Sequence, residues 1–170
     1  MATAKGVSLI EYNARFGDPE VMNVLPIMKT DLIEVCEGIL SGDLKRVKVE
    51  FEKKATVCKY IVPEGYPEKP RAGEKIFIDG VSLRASARQS GHGNGNPLLF
   101  YSSVDKREDG LYLSSSRAVA FVGIGDNLEL AEKIAQSACA TVKGPVFYRK
   151  DVGTKALIQK RVEMMRKLRG

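Results

Sequence analysis

The chain has 170 residues, enough for one ordinary domain or one domain plus part of another, and it carries a net charge of +6. Its 44% apolar and 28% charged residues are those of a globular protein with a substantial core. No apolar run approaches the ~20 residues that span a bilayer, and MATAKG at the start has no long apolar stretch of the kind a signal peptide needs.

In chain order, MATA and VSLIEYN read as two short strands around a Lys5-Gly6 turn, with VSLI as a buried strand. Gly17 and Pro19 in GDPE break the second strand. VMNVLPIM is irregular. TDLIEVCEGILSGD then places Leu32, Val35, Cys36, Ile39 and Leu40 on one face of a helix, with Thr30 or Asp31 as its cap and Gly42 at its end. Strands are expected at VKVEF (47–51) and ATVCKYIV (55–62), and PEGYPEKPRAG (63–73) reads as a loop. IFIDGV, SLRASAR, LLFYSSV, LYLSS and RAVAFVGI fit shorter strands, and GHGNGN (91–96) has the composition of a mobile loop.

DNLELAEKIAQSACATV spaces Leu128, Ala131, Ile134, Ala135, Ala138 and Val142 as a helix stripe that Gly144-Pro145 stops. A last helix runs roughly from 154 to 168, with Leu157, Ile158, Val162, Met165 and Leu168 inward. Short turns between strands imply an α+β protein with a mostly antiparallel sheet and helices packed on it.

Cys36, Cys58 and Cys139 have no CxxC spacing, and their surroundings read as those of buried free thiols in a reducing compartment. His92 has no sequence neighbour that would make it an acid or base, and it reads as a loop residue. In the last sixteen residues Lys155, Lys160, Arg161, Arg166, Lys167 and Arg169 stand against Glu163 alone, so five of the six net charges sit there. A basic terminal helix can bind nucleic acid, but its cations also suit the negative end of the helix dipole, which is the more common arrangement.

The chemically pointed stretch is IEYNARFGDPE (10–20). In an extended segment Glu11, Asn13 and Arg15 project to one side, ~6.6 Å apart. A carboxylate and an amide oxygen suit a hard cation such as Mg²⁺, and a guanidinium can fork onto a phosphate. That spacing alone is common on exposed strands. The full string E-x-N-x-R-F-G-D-P-E resembles the metal-binding strand and loop of the ATP-grasp ligases, and in particular the phosphoribosylamine–glycine ligase family. The same family's motifs are resembled by VLPIMKTDLIEVCEGILSGDL, ATVCKYIVPEGYP, SSSRAVAFVGIGDNLELAEKIA and YRKDVG, which together span nearly the whole chain.

The resemblance implies a ligase that joins glycine to 5-phosphoribosylamine through glycyl phosphate, with ATP as co-substrate and Mg²⁺ or Mn²⁺ as the ion, in the cytoplasm. It implies Glu11 and Asn13 as metal ligands and Arg15 as a catalytic contact to the transferring phosphate. Asp18 and the backbone around Gly17 either hold the amine substrate or shape the loop. It further implies that residues 1–45 are the end of an ATP-grasp domain and 46–170 the family's C-terminal domain. The purine pocket, the phosphate-covering loop and a second metal carboxylate precede the matching strand in the family. The chain is then a fragment, the product of a mis-called start or one half of a split enzyme; the expected partner is the N-terminal part of the same enzyme as a separate chain, without which the polypeptide is inactive. A membrane has no place in this scheme. The alternative is a non-enzymatic module that binds a partner or nucleic acid through the basic helix. Two departures stand out: SSSR (114–117) replaces the family's GGR, and YRKD replaces Arg-Arg-Asp, with Arg149 and Asp151 read as a structural ion pair.

Overall fold

The computed structural model describes residues 1–78 and 96–169. Two strands, β1 (Ala2–Thr3) and β2 (Gly6–Val7), form a small hairpin in which Thr3 faces Gly6. Gly6 has φ +124°, a conformation that tolerates no Cβ, which is why this position makes the turn. The short helix α1 (Glu20–Val24) follows, then α2 (Leu32–Leu40), each trailed by a single 3-10 turn.

Among the described residues two four-stranded sheets hold the rest. The first runs β10-β3-β8-β5, with β3 (Ala55–Pro63), β5 (Leu98–Tyr101), β8 (Val119–Gly125) and β10 (Val146–Phe147). The second runs β6-β7-β4-β9, with β4 (Lys75–Ile78), β6 (Val104–Arg107), β7 (Gly110–Leu113) and β9 (Val142–Lys143). Every pairing is antiparallel. Helix α3 (Leu128–Cys139) packs on β3 and β8, and α4 (Lys155–Arg169) ends the chain and touches β1.

The core follows from this layering. β3 and β8 are the central strands of the first sheet, and Val119, Ala120, Phe121 and Val122 are wholly buried. One cluster joins Ile61, Val119, Phe121, Ala138 and Cys139, sealing α3 to one face. On another part of the sheet Met22 packs with Cys58, Ala120 and Val122, which fastens α1. Close approach of α3 depends on Gly123, where a Cβ would lie far inside contact with the Ala131 carbonyl oxygen. Asn127 caps α3 by accepting from Leu130 N at 2.9 Å, as its short polar side chain before an apolar stripe suggests.

Inside the apolar β3 sits Lys59, 1% exposed. Its ammonium donates to Glu132 Oε1 (2.6 Å), Gln136 Oε1 (2.7 Å) and the Lys150 carbonyl (2.9 Å), so all three protons are used. This node ties β3, α3 and the loop before α4 together. In that loop Arg149 forks onto Asp151, at 3.0 and 2.6 Å.

Several expectations need correction. The strand expected over VSLIEYN ends at Val7, and VSLI is not buried: Val7, Leu9 and Ile10 are all exposed, because no neighbouring strand pairs with residues 8–14. VKVEF forms only one bridge, Met28 to Phe51, beside isolated bonds such as Lys29 N to the Glu50 carbonyl at 2.9 Å. LLFYSSV splits into β5 and the start of β6, and α3 stops at Cys139, so Val142 joins β9 instead. The α2 stripe is only half covered: Leu32 and Val35 are partly buried, whereas Cys36, Ile39 and Leu40 are exposed. Cys36 is thus an exposed thiol, and only Cys58 and Cys139 are buried. Ile158 and Val162 of α4 are likewise each 38% exposed. SLRASAR, His92 and nearly all of GHGNGN lie outside the described residues.

These differences cluster. Met22 alone among the buried apolar side chains comes from residues 1–51, and all the others follow residue 56. Most of the exposed large apolar side chains, among them Leu9, Tyr12, Phe16, Ile33 and Leu40, fall in the same stretch. The sheets therefore hold the core, and the first 51 residues lean on it through α1. Among the described residues no helix is long and apolar enough to cross a membrane.

Candidate functional site

Residues 11–17 are unpaired, with a bend at Arg15, and lead into a turn at Asp18-Pro19, which are joined by a cis peptide bond. The turn is fixed from both ends. Val21 N donates to the Gly17 carbonyl at 2.9 Å and Met22 N to the Pro19 carbonyl at 3.1 Å, starting α1, while the Met22 side chain enters the core.

On the other side Asp18 is held by two residues from the first sheet. The Tyr60 hydroxyl donates to Asp18 Oδ1 at 2.7 Å, and Arg117 Nη2 lies 3.0 Å from Oδ2. Arg117 Nη1 also donates to the Asp18 carbonyl at 3.3 Å, and its guanidinium stacks 4.9 Å from the Tyr60 ring centroid. Burial, with help from the Asp18 hydrogen bond, pushes the Tyr60 hydroxyl up to about 12, so it stays a donor through the neutral range. Tyr60 stands on β3 and Arg117 just before β8. These neighbouring strands pair Tyr60 with Ala120, which brings the two side chains within reach of one carboxylate.

The turn opens an exposed pocket of about 440 Å³ lined by Asn13, Arg15, Gly17, Asp18 and Glu20. Four of the five residues singled out in the sequence meet there. Glu11 does not line it, although it is exposed on the same unpaired segment. The motif alone assigns no role to Glu20, Tyr60 or Arg117. Glu20 belongs to the GDPE string itself, and its charge beside Arg15 was the available signal. Tyr60 and Arg117 lie 42 and 99 residues from Asp18, beyond any spacing rule.

The pocket's charges are not equivalent. Asp18 is committed to Tyr60 and Arg117. The Arg15 guanidinium meets only the Phe16 carbonyl, at a long 3.5 Å. Arg15 and Glu20 enter no ion pair among the described residues. Gly17 needs no unusual φ. Its lack of a side chain instead leaves room for the Glu20 carboxylate, which a Cβ would strike. Among the described residues no group of three His, Cys, Asp or Glu side chains gathers as a metal cage. Glu11 and Asn13 offer two oxygens, the right donor chemistry for a hard cation, so other oxygen ligands would have to complete its shell.

The structure aligns with the crystal structure of a phosphoribosylamine–glycine ligase from Thermotoga maritima at a TM-score of 0.58, over 84% of this chain and 32% of that one. At 22% identity this shows the shared fold. Residues 56–155 match the family described as "Phosphoribosylglycinamide synthetase, C domain", and the chain belongs to that family. Curated relatives named phosphoribosylamine–glycine ligase extend the similarity beyond that domain. The chain is 49% identical to those of Methanococcus maripaludis (strain DSM 14266) and Methanocaldococcus jannaschii, over 168 and 169 residues. It is 51% identical to that of Methanobrevibacter smithii over 168 residues. In each case 99% of this chain is covered but 36% of the relative, so the chain spans about a third of the length of the relatives it matches.

Proposed function

We propose that the chain is the C-terminal portion of an ATP-dependent ligase of purine biosynthesis that joins glycine to 5-phosphoribosylamine, acting in the cytoplasm. The observation that carries this is the similarity of nearly the whole chain to ligases of that name, together with a pocket at the loop that bears the ligase motif. Residues 1–45 are the end of the ATP-grasp domain and 46–170 the C-terminal domain. The partner is the polypeptide equivalent to the relatives' remaining length, encoded separately or in one piece.

The reaction balances in two steps. A glycine carboxylate oxygen attacks the γ-phosphorus of ATP and ADP leaves. The amine of phosphoribosylamine then attacks the acyl carbon, inorganic phosphate leaves and the nitrogen loses a proton. The first step turns a poor electrophile into one with a leaving group. The protein's task is to position the reactants and offset phosphoryl charge. Arg15, which pairs with no carboxylate among the described residues, is the cation for that charge. Glu11 and Asn13 would hold Mg²⁺ or Mn²⁺, which supplies charge neutralisation on the nucleotide phosphates when bound. Asp18 shapes the loop, since both its oxygens are already occupied.

The test is reconstitution. The chain is co-expressed with the N-terminal two-thirds of the Methanocaldococcus jannaschii relative, and phosphate release is followed. Release that depends on glycine, phosphoribosylamine and ATP together supports the reading, and Arg15→Ala should lower it by about 10²-fold or more. An assembled complex that releases no phosphate under these conditions overturns it. Alone, the chain should show no saturable MgATP binding in calorimetry at micromolar concentrations, because two oxygens leave such an ion mostly hydrated.

A further inference from the structure

The segment carrying Glu11, Asn13 and Arg15 is pinned at one end by Asp18, on Tyr60 and Arg117. At its other end it leaves the β1–β2 hairpin, where Ser8 N donates to the Met1 carbonyl at 2.9 Å. Between these ties residues 8–14 pair with no strand among the described residues. The path of the segment therefore depends on where the hairpin sits. A hairpin with two residues in each strand and no buried apolar side chain does not hold itself in water. The element that its first strand touches is α4. Ala2 and Thr3 of β1 are partly covered, whereas Gly6 and Val7 of β2 are exposed, so the hairpin lies on the helix by its first strand.

α4 is suited to bear it. Its base is fixed to the core. The Lys150 carbonyl accepts from buried Lys59, Val152 packs with Val57, Ala131 and Ala135, and Gly153 sits so close to Val57 that a Cβ would strike it. Thr154 then caps the helix, its hydroxyl accepting from Leu157 N at 3.3 Å. The 15 residues of α4 span about 22 Å. Its partly covered side chains, Leu157, Met165 and Leu168, fall within about 80° of one another around the axis. Lys155, Lys160, Arg161, Arg166 and Lys167 are all exposed, and none of the described α4 side chains is fully buried. The helix thus adds little to the core itself.

We propose that α4 is a brace: it carries the hairpin on its apolar stripe and so positions the segment that bears Glu11, Asn13 and Arg15. Only the nature of what the segment binds rests on the ligase reading. With the hairpin loose, the binding arrangement is one of several, and apparent affinity for a cation falls in proportion to its population.

The test strips the stripe. Leu157→Gln, Met165→Gln and Leu168→Gln together remove its apolar surface while keeping good helix formers, and Leu157→Met, Met165→Leu and Leu168→Met together retain it. Gly6→Val opens the hairpin from its own turn, because φ +124° suits no side chain and the position meets nothing else. Amide hydrogen exchange of the intact chain is followed by NMR. In the glutamine triple and in Gly6→Val the Ser8 amide should exchange about tenfold faster, with β3 and β8 unchanged. The Met–Leu triple should match the parent. The second readout is the chain reconstituted with the N-terminal two-thirds of the Methanocaldococcus jannaschii relative. The Mg²⁺ concentration for half-maximal phosphate release should rise about tenfold in both loosened variants, and saturating Mg²⁺ should restore most of the rate. A chain merely damaged in its fold would lose rate at every Mg²⁺ concentration.

Unchanged Ser8 exchange in the glutamine triple overturns the proposal. So does a loosened hairpin with an unchanged Mg²⁺ requirement, or a rate that saturating Mg²⁺ does not restore. If the triple also loosens β3 and β8, the response of Gly6→Val to Mg²⁺ decides. If the complex releases no phosphate, exchange decides: a Ser8 amide freed by the glutamine triple keeps the brace while the ligase reading falls.

Discussion

Replacing Lys59 by Met removes the cation from the middle of β3 while keeping most of its volume. The Lys59 side chain is wholly buried and that of Glu132 is 18% exposed, so the carboxylate left behind has little water to turn to. Gln136 and the Lys150 carbonyl lose their donor at the same stroke, although Gln136 keeps the Tyr148 hydroxyl at 2.9 Å. Breaking a buried pair by removing one partner costs about 3–5 kcal/mol. For a chain of this length each kcal/mol moves Tm by about 2–4 °C, so Lys59→Met should melt roughly 6–20 °C lower. The pair as a whole need not be worth that much, because desolvating two charges offsets most of their attraction. Lys59→Met combined with Glu132→Leu should therefore recover most of the loss, to within about 1–2 kcal/mol of the parent. Urea denaturation followed by circular dichroism reads both numbers, and the chain's lack of tryptophan does not interfere. A single variant that loses less than about 1 kcal/mol, or a double variant worse than the single, would refute the claim that an uncompensated carboxylate sets the cost.

The Asp18–Arg117 contact is half exposed, so Asp18→Asn and Arg117→Gln should each cost only about 0.5–1 kcal/mol, non-additively in a double-mutant cycle. Both should speed tryptic cleavage after Arg15 by freeing the loop, which gel analysis of timed digests would show. Gly123→Ala forces a methyl into the Ala131 carbonyl of α3 and should cost at least the ~1–3 kcal/mol of an overpacked core, read as a lower urea midpoint. Of the three thiols only Cys36 should react with Ellman's reagent before unfolding, because burial pushes Cys58 and Cys139 up to about 12. Both buried thiols are neutral in the folded protein but ionise near their ordinary 9.0 once unfolded. Stability is thus untouched below pH 9 and falls as pH rises from there toward about 12, as urea midpoints across that range would record.

Where pattern and partner coincide, the fold can be read directly from the residues. Asn127 before Leu128, Ala131, Ala135 and Ala138 announces α3, and largely apolar runs announce β3 and β8, because their own sheet and helix cover them. Where the partner is not among those elements, the pattern misleads. Ile39 and Leu40 have the right spacing for a buried stripe and are exposed, since periodicity says that a face is apolar without saying what covers it. VKVEF alternates as a strand should, yet residues 27–30 offer it only scattered hydrogen bonds. At the site, Asn13, Arg15, Gly17 and Asp18 were legible because they are neighbours in one turn. Tyr60 and Arg117 were not, because only strand register brings them to Asp18. Lys59 was a missed signal: a lysine inside a strand otherwise written for the interior demands an acid somewhere near it.

The uncovered side chains of the first 51 residues, Leu9, Ile33 and Leu40 among them, have a practical meaning at the bench. A dye such as ANS fluoresces on apolar surface, and its glow is commonly taken as the mark of a loosened, molten interior. This polypeptide on its own should light the dye while its β3–β8 core remains packed, so brightness here would register apolar side chains left open in the folded chain and not melted packing.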